Sequence, residues 1–132
     1  VTNEAKKKGI QILIEPINNI DIPGYFLNYS STALDILRDL SRPNLKLQYD
    51  IYHMQIMEGN LANTIKENIK NIGHFQLADN PGRNEPGTGE ISYKFLLPFI
   101  DTLDYPGWIG CEYLPKTTTT ESLNWARQFM QK

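Results

Sequence analysis

The chain repeats one pattern four times: a short, largely apolar stretch, a loop, and a longer stretch with helical periodicity. The short stretches, which are typical of strands, cover residues 10–15, 45–50, 72–79 and 108–113. The longer stretches repeat apolar residues every three or four positions and cover residues 30–40, 61–70, 93–103 and 121–130. Regular alternation of strands and helices predicts an α/β fold, with a parallel sheet covered by helices.

Local signals set the expected limits of the helices. Asn28 or Ser30 can cap the first helix, and Thr-Thr-Thr-Glu at residues 118–121 fits a capping box at the start of the last. Pro98 lies inside the third helical stretch, where it is expected to kink the helix or delay its start. Residues 51–60 are expected to form a loop between the second strand and the second helix.

Alternation within the strands indicates a closed barrel. In the second strand, the apolar positions 45, 47 and 49 alternate with Lys46, Gln48 and Asp50, and the other strands have a similar pattern. Strands of an open parallel sheet are apolar on both faces, whereas an apolar outer face and a polar inner face are typical of a barrel lumen near its catalytic mouth. The sequence therefore predicts four strands and four helices of a (β/α)₈ barrel, with residues 1–132 in a single domain.

The length of the chain fits half of such a barrel. About 250 residues are usual for eight strands and eight helices, and this chain has 132. It has no initiator methionine, and its first residues are typical of the end of a basic helix that stops at Gly9. We therefore expect the C-terminal half of a barrel, completed by a missing N-terminal half or by a second copy of the chain.

Composition narrows the expected partners. A net charge of −2 argues against a dedicated nucleic-acid surface, and no apolar run approaches the length needed to cross a bilayer. The single cysteine, Cys111, excludes an internal disulfide framework and fits a reducing cytosol. We expect a cytoplasmic protein with neither nucleic acid nor membrane as partner.

A polar residue of the inward phase lies at or near the end of each strand. These four residues are Glu15, Asp50, Gln76 and Glu112. The C-terminal edge of parallel strands is where ligands bind, and three carboxylates in one lumen repel each other unless a cation neutralises them. An all-oxygen set suits Mg²⁺ or Mn²⁺. Any one of these residues alone would more simply be solvated, but four in the same phase favour a metal site.

Five segments carry a more specific signal. They are Ile-Glu-Pro-Ile-Asn at 14–18, Tyr-Asp-Ile-Tyr-His-Met-Gln at 49–55, His-Phe-Gln-Leu-Ala-Asp at 74–79, Pro-Gly-Arg-Asn-Glu-Pro-Gly-Thr-Gly-Glu-Ile at 81–91, and Gly-Cys-Glu-Tyr at 110–113. Together they resemble the hydroxypyruvate isomerase family, part of the sugar isomerase/epimerase superfamily with xylose-isomerase-like TIM barrels. The resemblance covers nearly the whole chain and corresponds to strands five to eight of such a barrel.

The resemblance implies a role for each candidate residue. It assigns a divalent metal to the same four strand-end residues, and proton transfer to Glu15 and Glu112. It implies substrate contacts for His53 and Arg83, which could otherwise be a hydrogen-bonded wall histidine and a surface-loop charge. The implied reaction interconverts hydroxypyruvate and tartronate semialdehyde, small hydroxy-keto acids. Related epimerases carry histidine where Gln76 stands, so the glutamine favours the hydroxypyruvate branch.

The chemistry of that reaction fits these residue types. Moving a proton between adjacent carbons through an enediolate needs a base, an acid and a stabiliser of negative charge, and an arginine can hold the substrate carboxylate. The alternatives are a sugar epimerase, a metal-dependent endonuclease, and a half-barrel that is catalytically incomplete. Two histidines and an acidic net charge count against an endonuclease, which needs several metals and a phosphate-binding surface.

Three other polar residues near the strand ends have weaker assignments. His74 precedes Gln76 by two positions and is expected to lie deeper in the lumen, as a support for the site. Asp79 is expected to orient Arg83 or its loop. Glu90 can either cap the following helix or close over the site.

Overall fold

The computed structural model describes residues 1–130, which form a four-stranded parallel sheet with helices on one side. The strands are β1 (Ile12–Ile14), β2 (Leu45–Asp50), β3 (Ile72–Leu77) and β4 (Ile109–Cys111), and they lie side by side in chain order. Helical connections link consecutive strands, so the α/β half-barrel prediction is confirmed.

Helices lie in each connection between consecutive strands, before β1 and after β4. They are α1 (Thr2–Lys7), α2 (Ser30–Leu40), α3 (Ile51–Met57), α4 (Leu61–Asn68), α5 (Tyr93–Asp101), α6 (Thr119–Ser122) and α7 (Arg127–Met130), with 3₁₀ turns at Ile69–Asn71 and Leu123–Ala126. The helix predicted for residues 61–70 therefore ends in a 3₁₀ turn. The single helix predicted for residues 121–130 is wrong, since three short helical segments replace it.

Helix α3 corrects the prediction of a loop at residues 51–60. Its first four residues, Ile51 to Met54, are all buried, so the helix lacks the one-sided apolar periodicity by which a surface helix is identified. It also begins directly at the end of β2, where the Asp50 side chain accepts a hydrogen bond of 2.8 Å from the Tyr52 backbone N–H. Asp50 is thus a strand end and a helix N-cap at once.

Pro98 does not delay the start of α5, so that part of the expectation is wrong. The helix is continuous from Tyr93 to Asp101, and its buried residues Tyr93, Leu96 and Ile100 hold one face against the core. Pro98 lies on the exposed side. The carbonyl group that would have accepted its missing N–H belongs to exposed Lys94, where water can replace the lost hydrogen bond.

The cap of α2 comes from elsewhere in the chain. Neither Asn28 nor Ser30 caps it with a side chain; instead the carboxylate of Glu58 accepts hydrogen bonds of 3.0 Å from the backbone N–H and the hydroxyl group of Ser30. At α6 the predicted cap is present, because the Thr118 hydroxyl group accepts a 3.3 Å hydrogen bond from the backbone N–H of Glu121.

The two faces of the sheet differ as the alternation predicts. The face against the helices is fully buried at Leu47, Tyr49 and Phe75, the largest core side chains of the two central strands. The opposite face carries Gln48 and Gln76, which are only partly buried among the described residues. This polar face leads to the C-terminal edge of the sheet, where the candidate site lies.

Candidate metal and proton-transfer site

The four strand-end residues meet at the C-terminal edge of the sheet. Glu15 directly follows β1, Asp50 ends β2, Gln76 lies near the end of β3, and Glu112 directly follows β4. Asp50 is paired in register with Gln76, and Gln76 with Gly110. The backbone N–H of Glu112 donates to the carbonyl of Leu77 at 3.0 Å, which extends the pairing of β3 and β4 to the glutamate itself.

Gln48 links three strands immediately beneath this edge. Its side-chain N–H groups donate to Glu15 Oε2 at 2.8 Å and to Gln76 Oε1. The sequence places Gln48 on the inward face but not among the site residues, and its phase, two positions before Asp50, is the signal that could have identified it. Gln48 therefore fixes the carboxylate of Glu15 relative to the amide of Gln76.

Asp50 carries a buried oxygen atom without a partner. Its side chain is fully buried, and one oxygen, Oδ1, is used in capping α3. The other, Oδ2, has no hydrogen-bond partner within residues 1–130; His53 Nε2 lies 3.6 Å away and Arg83 Nη2 3.7 Å away. Because a buried carboxylate oxygen without a partner is costly, this atom indicates a cation or a hydrogen-bond donor from a ligand.

Glu15, Asp50 and His53 form a group that could hold a metal ion. One ligand atom from each lies within 4.8 Å of the others. Of the four residues predicted to be ligands, Glu15 and Asp50 belong to this group. Gln76 is joined to it by Gln48, and Glu112 is joined by Arg83.

Arg83 reaches the site from the loop after β3. Its Nη2 atom lies 2.6 Å from Glu112 Oε2, and its guanidinium group lies over the ring of Tyr52, 5.2 Å from the centroid. The residue has a φ of +53°, which non-glycine residues rarely adopt, and its carbonyl accepts a 2.7 Å hydrogen bond from the Leu114 backbone N–H. The arginine is therefore part of the site rather than a free surface charge.

His53 is held by a residue that the sequence reasoning did not single out. Asn18, fully buried in the loop after β1, directs its Nδ2 atom to His53 Nδ1 at 2.6 Å. The same Nδ2 atom donates to Asp21 Oδ2 at 3.0 Å, and that oxygen also accepts a 2.9 Å hydrogen bond from the Tyr52 hydroxyl group. Asn18 falls within one of the five family-like segments, which is the signal that could have pointed to it.

Burial and mutual repulsion change the protonation of the site. Burial raises the pKa of Glu15 to about 7, with further contributions from the negative charges of Asp50 and Glu112. Burial also raises the pKa of Asp50 to about 6. Burial, followed by the charge of Arg83, lowers the pKa of His53 to about 4, so the imidazole is neutral at neutral pH.

Asp79, Glu90 and His74 have different surroundings in the structure. Asp79 organises the loop, as predicted, since its carboxylate accepts from the backbone N–H groups of three loop residues, Asn80, Gly87 and Ile91. Glu90 accepts from Asn80 and Gln55, so it holds the loop against α3. The imidazole of His74 lies close to the backbone of Gly110 on β4, and its role as a support for the site stays a prediction.

The residues present fit a divalent cation. Asp50 Oδ2 has no hydrogen-bond partner in residues 1–130, and burial, together with the charges of neighbouring carboxylates, raises the pKa values of Glu15 and Asp50, so a cation would stabilise their ionised forms. The donors are carboxylate and amide oxygens, which suit a hard ion. His53 is less suited than the carboxylates to bind the cation, since Asn18 Nδ2 already occupies the Nδ1 lone pair.

The structure is half of a parallel (β/α) barrel with carboxylates at the C-terminal edge of its strands, which is the edge where barrel enzymes of this kind carry their active sites. Residues 1–129 match the family described as the xylose isomerase-like TIM barrel. The chain belongs to this family.

Named relatives and a solved structure agree with that membership. The chain is 54% identical, over 93% of its length, to hydroxypyruvate isomerase of Escherichia coli, and covers 48% of that protein. It is 46% identical, over 97% of its length, to 2-oxo-tetronate isomerase of Cupriavidus necator, and covers 49% of it. A solved structure described as an AP endonuclease of family 2 from Brucella melitensis superposes with a TM-score of 0.94, at 36% identity, over 97% of this chain and 50% of that one.

The chain thus spans about half the length of the curated relatives that it matches. Within residues 1–130, none of the helices has the length and apolar character needed to cross a membrane.

Proposed function

We propose that this site isomerises a small 2-oxo acid with a hydroxyl group on the neighbouring carbon, interconverting hydroxypyruvate and tartronate semialdehyde. The activity belongs to a completed barrel, in which an N-terminal half or a second copy of the chain supplies the other strands. The observation that carries the proposal is Asp50 Oδ2, a buried carboxylate oxygen without a hydrogen-bond partner in the described residues, between Glu15 and Glu112 at the barrel mouth. The relatives named hydroxypyruvate isomerase and 2-oxo-tetronate isomerase support it.

The reaction requires two proton movements on the substrate. A base removes a proton from C3 of hydroxypyruvate to leave an enediolate, and an acid returns a proton to C2; a hydroxyl proton moves from O3 to O2 at the same time. Glu15 and Glu112 are the proposed base and acid, and they come from the two outer strands of the sheet. A carboxylate can act as either a general base or a general acid when it lies within hydrogen-bond reach of the substrate proton.

The four strand-end residues are the proposed ligands of a divalent cation. Glu15, Asp50, Gln76 and Glu112 would hold Mg²⁺ or Mn²⁺, which as a Lewis acid supplies stabilisation of negative charge on the substrate oxygens. Gln48 orients two of these side chains, since it donates to Glu15 and to Gln76.

Arg83 and His53 are the proposed substrate contacts. The guanidinium group of Arg83 is held by the ring of Tyr52 and the carboxylate of Glu112 through Nη2, which leaves other N–H groups for a substrate carboxylate. Hydroxypyruvate has a carboxylate that this arginine can bind, whereas ketohexoses, the substrates of an epimerase, have none. 2-Oxotetronate is the second candidate substrate, because a 46% identical relative is named for it.

A chimeric barrel tests the proposal. The chain is joined to the N-terminal half of the Escherichia coli hydroxypyruvate isomerase, and turnover of hydroxypyruvate, 2-oxotetronate and a ketohexose is measured with Mn²⁺. Glu15→Gln and Glu112→Gln should each lower kcat by about 10²-fold or more, the usual contribution of a general acid or base. Glu67→Gln, the same change at an exposed site on α4, is the matched control and should leave turnover unchanged.

Two results would refute the proposal. A folded chimera that turns over neither 2-oxo acid would remove the isomerase function. A ketohexose turned over far better than hydroxypyruvate would instead make the protein an epimerase.

A further inference from the structure

The orientation of the Asn18 amide is fixed by the backbone around it. Its Oδ1 atom accepts hydrogen bonds from the backbone N–H groups of Ile20 at 3.0 Å and Asp21 at 2.7 Å. A side-chain NH₂ group could not accept these bonds, so the oxygen must face the backbone and Nδ2 must face the other way. Nδ2 is therefore a donor to the two acceptors that it meets, Asp21 Oδ2 and His53 Nδ1.

This orientation determines the tautomer of His53. Nδ1 lies 2.6 Å from the donor Nδ2 of Asn18, and the backbone N–H of Asn18 also donates to it at 3.4 Å. An atom that faces two donors must carry its lone pair, and in a neutral imidazole the proton is then on Nε2. Nε2 is the atom that faces the site, 3.6 Å from the unpartnered Oδ2 of Asp50.

We propose that Asn18 is a positioning residue that holds His53 in the Nε2–H tautomer, so that His53 offers the site a hydrogen-bond donor and does not coordinate the cation. The part of this inference that concerns the substrate rests on the proposed function: the Nε2–H group donates to an oxygen of the 2-oxo acid. The tautomer itself does not depend on the reaction. His53 thus lies within the metal-binding group without being a ligand, since neither of its nitrogens has a free lone pair directed at the site.

Nitrogen NMR of the imidazole rings reads the tautomer directly. The chain has two histidines, and His74→Gln leaves His53 as the only ring to observe. Two-bond correlations between ring protons and ¹⁵N distinguish the Nε2–H, Nδ1–H and doubly protonated forms. The metal-free chain at neutral pH should show the Nε2–H form, and saturation with Mg²⁺ should leave that proton in place.

Substitution of Asn18 tests whether this residue sets the tautomer. Asn18→Asp keeps the shape but replaces the donor with an acceptor, so Nδ1 of His53 should become protonated. Asn18→Ala removes the side-chain donor, together with the oxygen that accepts from the backbone N–H groups of Ile20 and Asp21, without adding a charge. It should give a mixture of the two neutral tautomers, which keeps the test usable if the charged variant does not fold. Asn63→Asp, at an exposed site on α4, is the matched control and should leave the His53 spectrum unchanged.

A kinetic measurement on the chimeric barrel tests the role toward the substrate. Asn18→Ala should lower kcat/KM for hydroxypyruvate about tenfold, as expected for one misdirected hydrogen bond, with Mn²⁺ affinity changed less than twofold. A loss of Mn²⁺ affinity as large as the loss of kcat/KM would overturn the inference, because it would make the residue a general support of the site.

The NMR outcomes are equally decisive. An Nδ1–H form in the parent chain, loss of the Nε2 proton on Mg²⁺ binding, or an unchanged tautomer in both Asn18 variants would each overturn the inference. A chimera that fails to turn over hydroxypyruvate while the parent spectrum shows Nε2–H would refute the proposed function and leave the tautomer assignment intact.

Discussion

Replacing Glu15 with glutamine should stabilise the metal-free chain at high pH. Burial, together with the smaller effect of the negative charges of nearby Asp50 and Glu112, raises the pKa of Glu15 from 4.5 to about 7. Between these two pH values the folded chain binds more protons at this group than the unfolded chain does. The free energy of unfolding therefore falls as pH rises through that window, and the cost of the ionised carboxylate is fully present above pH 7.

The size of the effect follows from the shift in pKa. A change from 4.5 to about 7 corresponds to about 3 to 4 kcal/mol at about 1.4 kcal/mol per pKa unit. Partial exposure to water and the flexibility of the site reduce this value, so we expect a gain of about 1 to 2 kcal/mol for Glu15→Gln at pH 8. At pH 4 the glutamate is largely protonated in both states, and the difference in stability should be much smaller.

Urea unfolding in EDTA, followed by circular dichroism at pH 4 and pH 8, measures both values. Glu67→Gln, at an exposed site, should change stability by less than about 0.5 kcal/mol at either pH. A Glu15→Gln variant that is less stable than the parent at pH 8, or that differs equally at both pH values, would refute the claim that the ionised Glu15 carboxylate destabilises the metal-free chain.

Three further predictions concern other parts of the chain. In the chimeric barrel, Arg83→Ala should raise KM for hydroxypyruvate about 10- to 100-fold with a smaller effect on kcat, because it removes charged hydrogen bonds to the substrate carboxylate. Steady-state kinetics measure both constants, and a fall in kcat with an unchanged KM would contradict this role for Arg83. Glu58→Ala should lower the free energy of unfolding, measured in urea, by about 1 to 2 kcal/mol, because it removes the cap of α2 and leaves buried Ser30 without its partner. Glu58→Gln keeps a hydrogen-bond acceptor and should lower the free energy of unfolding by less. The chain made alone should form soluble dimers or larger assemblies in light-scattering measurements, because β1 and β4 have open edges beside exposed Ile10 and Trp108; a stable monomer would contradict this.

Much of the fold could be predicted from the alternation of residues along the strands. The buried positions Leu45, Leu47 and Tyr49 against the polar Gln48 gave β2 its correct two faces, and the same reasoning identified all four strands. Helix α3 could not be found in this way, because Ile51 to Met54 are buried on every side and show no helical periodicity. The N-cap of α3 could not be predicted either, because Asp50 was interpreted as a site residue at the end of β2.

The candidate site could be predicted only as far as its strand ends. The alternation along the strands predicted that four residues lie at one edge of the sheet, and the structure places them there: Glu15, Asp50, Gln76 and Glu112. The residues that orient this set act through hydrogen bonds between segments distant in sequence, such as Asn18 with His53, 35 residues apart. No local pattern encodes such a bond. The metal-ligand and catalytic roles of these residues remain predictions.

The central claim is that the carboxylates at the barrel mouth bind a divalent cation, and a Mn²⁺ titration of the metal-free chain tests it most directly. Isothermal titration calorimetry gives the Kd, and thermal melts at 100-fold excess over that Kd should show about 2.7 kcal/mol of added stability. Asp50→Asn preserves an oxygen to cap α3 but removes the charge, so it should weaken binding at least tenfold, and Glu67→Gln should bind as the parent does. One Mn²⁺ per site with this ranking is the result we predict. A parent chain that shows no response to Mn²⁺, or an Asp50→Asn variant that binds it equally well, would contradict the site as described.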